Sequence, residues 1–131
     1  MSAGGGYSCV LDASALLALM QSEPGSEVVE PLLETAVISC VNWSEVVQKS
    51  LERGVEVDGL RDDLRALGLT LVPFTTRDAE DAAALRGHTK ELGLSLADRA
   101  CLALAGRLQK EALTTDRAWA GVGSIPVRVI R

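Results

Sequence analysis

Tyr7-Ser-Cys-Val-Leu-Asp-Ala-Ser-Ala-Leu-Leu-Ala-Leu-Met-Gln21 decides how this chain folds. Tyr7 to Leu11 is an apolar run of strand length, and Ser14 to Gln21 follows with the length and composition of a short helix. Asp12 stands between them, where a side-chain oxygen can accept the first backbone N–H groups of the helix. A strand that runs directly into a helix is the first half of a strand–helix–strand unit, which joins parallel strands.

The same alternation continues outward from this stretch. Pro24 and Gly25 break the chain, and Ser26 opens a second helix with Glu27 and Glu30 near its start, where the helix dipole favours acids. Pro31 should bend or restart that helix. Ala36 to Val41 is apolar and β-branched, a second strand. Asn42 begins a longer helix to about Arg53, with Trp43, Val46, Val47, Ser50 and Leu51 at helical spacing and Gly54 as its stop. Asp58 to Ala66 is expected as a helix whose buried stripe is Leu60, Leu64 and Leu67, ended by Gly68. Leu69 to Phe74 alternates as a third strand, and Arg77 to Glu91 is helical. Gly93 interrupts the chain before the most apolar helix, Ser95 to Lys110. Ala112 to Thr114 is a brief strand, Asp116 to Ala120 a helical turn, and Val127 to Ile130 a last strand. This order argues an α/β domain with a mostly parallel sheet and helices on both faces, linked by right-handed crossovers.

Composition sets the limits. The chain has 131 residues, 47% of them apolar, enough for a core, and only four aromatics: Tyr7, Trp43, Phe74 and Trp119. Its net charge of −5, from 18 acidic and 13 basic residues, argues against broad electrostatic attachment to nucleic acid. A cation held by some of the acids would reverse the sign locally. The three cysteines, Cys9, Cys40 and Cys101, each lie in an apolar run. An odd number without close spacing reads as small buried hydrophobes in a reducing compartment, not as a disulfide framework. Residues 1–6 read as a disordered tail without the basic start of a signal peptide, and 7–131 as a single domain. Ala13 to Met20 is far too short to span a bilayer. A cytoplasmic protein without a membrane segment is expected.

Four acids stand out by position. Asp12 follows the first strand, Asp116 follows the fourth, and Glu45 lies in the helix after the second. In an open parallel sheet these places share the rim at the carboxyl ends of the strands, where such folds build their sites. Asp98 lies in the first turn of the Ser95 helix. Each acid also has a structural reading: Asp12 and Asp116 fit N-caps, while Asn42-x-x-Glu45 and Ser95-x-x-Asp98 have capping-box spacing. Gathered on one rim, however, carboxylates repel unless a cation lies between them. Oxygen ligands of this kind suit Mg²⁺ or Mn²⁺, and such a centre can activate water for in-line displacement at phosphorus.

These residues resemble a known family. Val10-Leu-Asp-Ala-Ser-Ala-Leu-Leu-Ala-Leu19 is similar to the opening motif of PIN-domain proteins, with Asp12 as its acid. Val41-Asn-Trp-Ser-Glu-Val-Val47 resembles the second motif, with Glu45. Gly93-Leu-Ser-Leu-Ala-Asp-Arg-Ala-Cys-Leu-Ala-Leu104 resembles the third, with Asp98, and Leu113-Thr-Thr-Asp-Arg-Ala-Trp119 the fourth, with Thr114 and Asp116. The likeness covers nearly the whole chain, shows no departure at the acidic positions, and is strongest to VapC-like toxins of toxin–antitoxin pairs. It implies a three-layer fold around a five-stranded parallel sheet. It also implies Mg²⁺- or Mn²⁺-dependent hydrolysis of structured RNA such as tRNA or rRNA, a homodimer, and a cognate antitoxin bound near the site.

On this reading Asp12, Asp98 and Asp116 ligate the metal, directly or through water. Glu45 ligates it or orients the attacking water. Thr114 and Ser14 are supporting candidates, with a solvent-facing strand hydroxyl and a first-turn helix serine as their plain alternatives. Arg99 and Arg117 could contact phosphate or form surface ion pairs. His88 is expected on the surface, and Trp43 and Trp119 in packing. A haloacid-dehalogenase-type phosphatase would need an Asp where Ser14 stands, and a response-regulator receiver an adjacent acid pair early in the chain. The remaining alternative is a catalytically silent PIN-fold binding module for RNA or a partner protein.

Overall fold

The computed structural model describes residues 6–131. Apart from Gly6, which lies in a turn, the tail expected over residues 1–6 falls outside this range. The sheet is wholly parallel. Its strands are β1 (Cys9–Leu11), β2 (Ala36–Ser39), β3 (Thr70–Val72), β4 (Glu111–Thr114) and β5 (Val127–Val129), in spatial order β3-β2-β1-β4-β5. Leu11 is in register with Ile38 of β2 and with Leu113 of β4, so the carboxyl ends of the three central strands share one rim.

Side chains alternate across a strand, and here both faces are buried. Cys9, Leu11, Ile38 and Leu113 join one core with α1 (Ala13–Met20), α2 (Ser26–Val29), Val46 of α3 (Cys40–Glu52) and Leu64 of α4 (Leu60–Ala66). Val10, Val37 and Ala112 join the other with α5 (Thr76–Ala84), Trp119 and the long helix α7 (Leu96–Leu108). Between the last two helices, α6 (Arg86–Thr89) and a 3-10 turn over Lys90–Leu92 divide what the sequence suggested as one helix from Arg77 to Glu91.

Local chemistry explains most boundaries. Asp12 caps α1 by accepting from the Ala15 N–H. Pro31, which has no N–H to give, starts a 3-10 segment over Glu30–Thr35 in place of more α-helix. The second strand ends earlier than its apolar run, because the Ser39 hydroxyl accepts from the Val41 N–H and starts α3 at Cys40. Cys40 is therefore exposed, whereas burial was expected, and Cys9 and Cys101 are buried as anticipated. Leu67 also departs from expectation: it follows the last turn of α4 and is 60% exposed. Ser95 and Asp98 form the expected capping box of α7. Among the described residues, no helix is long and apolar enough to cross a membrane.

Candidate active site

The sheet register places the candidate acids. Asp12 directly follows Leu11 and its N–H donates to the Leu113 carbonyl at 3.1 Å, which sets Thr114 beside it. The Thr114 hydroxyl donates to Asp12 Oδ2 at 2.6 Å and accepts from the Asp116 N–H at 3.1 Å. On its other oxygen, Asp12 Oδ1 accepts from the Ser14 hydroxyl at 2.7 Å and from the Ala15 N–H at 2.8 Å. The Ser14 oxygen accepts in turn from the Thr115 N–H at 3.0 Å. Thr114 is fully buried, so its hydroxyl faces the carboxylate and not solvent. Asp116 is exposed and caps the following 3-10 turn, Arg117–Gly121, through the Ala118 N–H at 2.9 Å.

Asp98 approaches from α7. Its backbone N–H donates to the Ser95 hydroxyl at 3.1 Å, and its Oδ2 accepts from the Ser95 N–H at 2.9 Å, so the box occupies a single carboxylate oxygen. Glu45 approaches from α3. Asn42-x-x-Glu45 is not a capping box, since the helix already begins at Cys40. The Asn42 amide instead donates to Glu45 Oε1 at 3.3 Å and to the Ala97 carbonyl at 3.0 Å.

Electrostatics indicate how these acids are grouped. Asp12 is only 5% exposed, and burial pushes its carboxyl up to about 6, against the pull of its Thr114, Ser14 and Ala15 donors. The Asp98 charge adds to that rise. Beneath them, burial pushes the Cys101 thiol well above its ordinary range, and the charges of Asp12, Asp98 and Glu45 push it the same way. Three carboxylates thus bear on one buried sulfur, and no ion pair among the described residues involves them or Asp116. Hard oxygen donors lacking a cationic partner match the chemistry of a Mg²⁺ or Mn²⁺ ligand set. In the arrangement seen, no three acidic, histidine or cysteine side chains among the described residues stand close enough to hold one metal ion.

The basic candidates lie elsewhere. Arg99 donates from Nη1 to the Ala82 carbonyl at 2.8 Å and ties α7 to α5, which excludes the surface ion pair considered for it. Arg117 and His88 are exposed, Trp119 is fully buried and Trp43 half-buried in packing. Sequence reasoning missed the part played by Asn42, whose three-residue spacing to Glu45 fits a side-chain bond as well as a cap. It also missed Asp78, a buried acid that caps α5 with Thr75 and binds Arg107 of α7 at 2.7 Å.

The PIN domain family model matches residues 9–124 of the sequence, and the chain belongs to that family. Among solved structures, it resembles a toxin–antitoxin complex from Klebsiella pneumoniae, with 24% identity and a TM-score of 0.75 over 95% of this chain and 98% of that one. VapBC-1 from nontypeable Haemophilus influenzae aligns over 92% of this chain and 96% of its own, at 16% identity and a TM-score of 0.68. FitAcB from Neisseria gonorrhoeae aligns over 91% and 95%, at 20% identity and a TM-score of 0.66. At such identities the likeness is one of fold. No curated protein matches the sequence.

Proposed function

We propose that residues 7–131 act as one metal-dependent endoribonuclease domain, a VapC-like toxin that hydrolyses phosphodiester bonds of structured RNA such as tRNA or rRNA. The observation that carries this reading is the network at the carboxyl rim of the sheet, where Thr114 joins Asp116 to a buried Asp12 that has only neutral donors and no cationic partner among the described residues. Capping accounts for Asp12 at the start of α1 and for one oxygen of Asp98, but it supplies no positive charge to offset the repulsion among the acids, which a divalent cation relieves.

Asp12, Asp98 and Asp116 would hold Mg²⁺ or Mn²⁺, and Glu45 would ligate it or orient water. When bound, the ion supplies Lewis-acid polarisation of phosphate and an attacking water of lowered pKa. Thr114 and Ser14 hold the Asp12 carboxylate in one orientation by their hydroxyl donors. Asp116 is positioned by its N–H bond to Thr114, which links it to the same network.

For partners we propose a cognate antitoxin and a second copy of this chain, in the cytoplasm. The antitoxin reading is supported by a groove of about 510 Å³ within the helical region between Pro24 and Gly68 and its α1 neighbour, with an apolar lining that includes Leu19, Met20, Leu33 and Leu64 beside the acids Glu30 and Glu34. A second reading, a PIN-fold binding module without catalysis, is favoured by the spacing of the acids, which do not ring one point.

One assay separates the two. Protein freed of any antitoxin is given total RNA with Mg²⁺ or Mn²⁺, beside Asp98→Asn. The endoribonuclease reading expects metal-dependent cleavage, a loss of about 100-fold or more in the variant, and inhibition when the antitoxin is returned. Light scattering on the same sample should give the mass of a dimer. A wild type that cuts no RNA and binds no Mn²⁺ leaves the binding module as the function.

A further inference from the structure

Asn42 is fully buried in the first turn of α3, a place where an apolar residue would serve packing and asparagine is a poor helix former. Its neighbours leave its amide a single orientation. Both partners of Nδ2, Glu45 Oε1 at 3.3 Å and the Ala97 carbonyl at 3.0 Å, are acceptors, so the NH₂ must face them. The other end of the amide, Oδ1, is then left buried with no partner. Burying an amide here costs desolvation that an apolar residue would not, and the two bonds made by its NH₂ are what offset it.

What the amide does achieve is a connection. One of its hydrogens goes to the candidate ligand on α3, the other to the residue immediately before Asp98, the candidate ligand on α7. Glu45 and Asp98 repel each other, and no cationic side chain pairs with either among the described residues. A neutral donor of fixed reach between them holds the two helices in register without neutralising either charge. The bond also takes up Oε1 of Glu45 and leaves Oε2 for another partner.

We propose that Asn42 is a positioning residue that sets Glu45 against the start of α7 for the binding of a divalent cation. The inference rests on the metal-centre reading above and deepens it. Outer partners that orient a ligating carboxylate commonly change metal affinity by about 10–100-fold when removed.

The test uses the whole chain, stripped of metal, and reads Mn²⁺ affinity by isothermal titration calorimetry at a temperature well below unfolding, with the melting temperature read by circular dichroism. Asn42→Ala removes the donor, and Asn42→Leu removes it while filling the space. Both variants are expected to fold and to bind Mn²⁺ about ten-fold or more weakly than the wild type. If they melt lower but keep the wild-type affinity, Asn42 is only a structural tie and the proposal is overturned. Failure of both to fold has the same meaning. A wild type that binds no Mn²⁺ overturns the metal-centre reading and this inference together, whereas unchanged affinity in folded variants overturns this inference alone.

Discussion

Asp12 and Asp78 are both buried aspartates, and burial works to raise the pKa of each. For Asp78, hydrogen bonds from Arg107 and from the Thr75 cap overcome burial and hold the carboxyl below its usual value. Asp12 has only neutral donors, and its carboxyl ends at about 6. The metal-free folded protein therefore binds the Asp12 proton more tightly than the unfolded chain does. The stability gained from that proton is complete below the ordinary aspartate value of 3.8 and is lost as pH rises through about 6. The loss is on the order of 3 kcal/mol. Asp12→Asn cannot ionise, so in a chelating buffer near pH 7.5 it should melt above the wild type in scanning calorimetry. An equal or lower melting point would contradict this account. The acid itself was readable from the sequence by its position after a strand. Its burial and its lack of a cation were not, because both depend on β4, which lies a hundred residues further along.

Among the elements, α7 matters most, since it carries Asp98 and Cys101. It is fastened to α5 by the Asp78–Arg107 ion pair at 2.7 Å and by the Arg99 bond to Ala82. Asp78 has a side-chain exposure of 2%, so removing Arg107 strands a buried charge, which typically destabilises by about 3–5 kcal/mol. Arg107→Ala should show this in urea unfolding at pH 7. Because the Asp78 carboxyl is held low, the difference from wild type is full above the ordinary carboxylate value and should close as acid protonates Asp78. A gap independent of pH would rule out the ion pair as its source. The capping box that starts α7 was legible because Ser95-x-x-Asp98 is a local signal. The start of α3 was not: Cys40 and Val41 prolong an apolar run, and periodicity alone does not separate the end of a strand from the first turn of a half-buried helix. Leu67 was misplaced for a related reason: it lies just past the last turn of α4, where helical spacing no longer decides which way a side chain faces.

At the scale of the molecule, the alternation of elements was enough to indicate a parallel α/β sheet. The order β3-β2-β1-β4-β5 was not legible from periodicity, because strand neighbours are chosen by contacts distant in sequence. Close backbone approaches are equally invisible. Gly68 has φ +109°, and a Cβ there would lie 2.5 Å from the Glu34 backbone, where the turn after α4 meets the 3-10 segment before β2. Gly54 has φ +72° with nothing within 4 Å. Gly68→Ala should therefore destabilise by about 3 kcal/mol or more, and Gly54→Ala by about 1 kcal/mol, in denaturant titrations. Similar losses at both sites would show that strain at positive φ, and not contact with Glu34, sets the penalty. The central position of β1 and β4 has another consequence. The bond from Thr114 to Asp12 spans 102 residues, so the first acid meets the last only after nearly all of the intervening chain exists. During synthesis, a nascent chain that has not yet released β4 has an Asp12 without Thr114 or Asp116 beside it. On the function proposed, a chain that stops short of β4 lacks both Thr114 and Asp116, and so the network that would orient Asp12 for a metal ion.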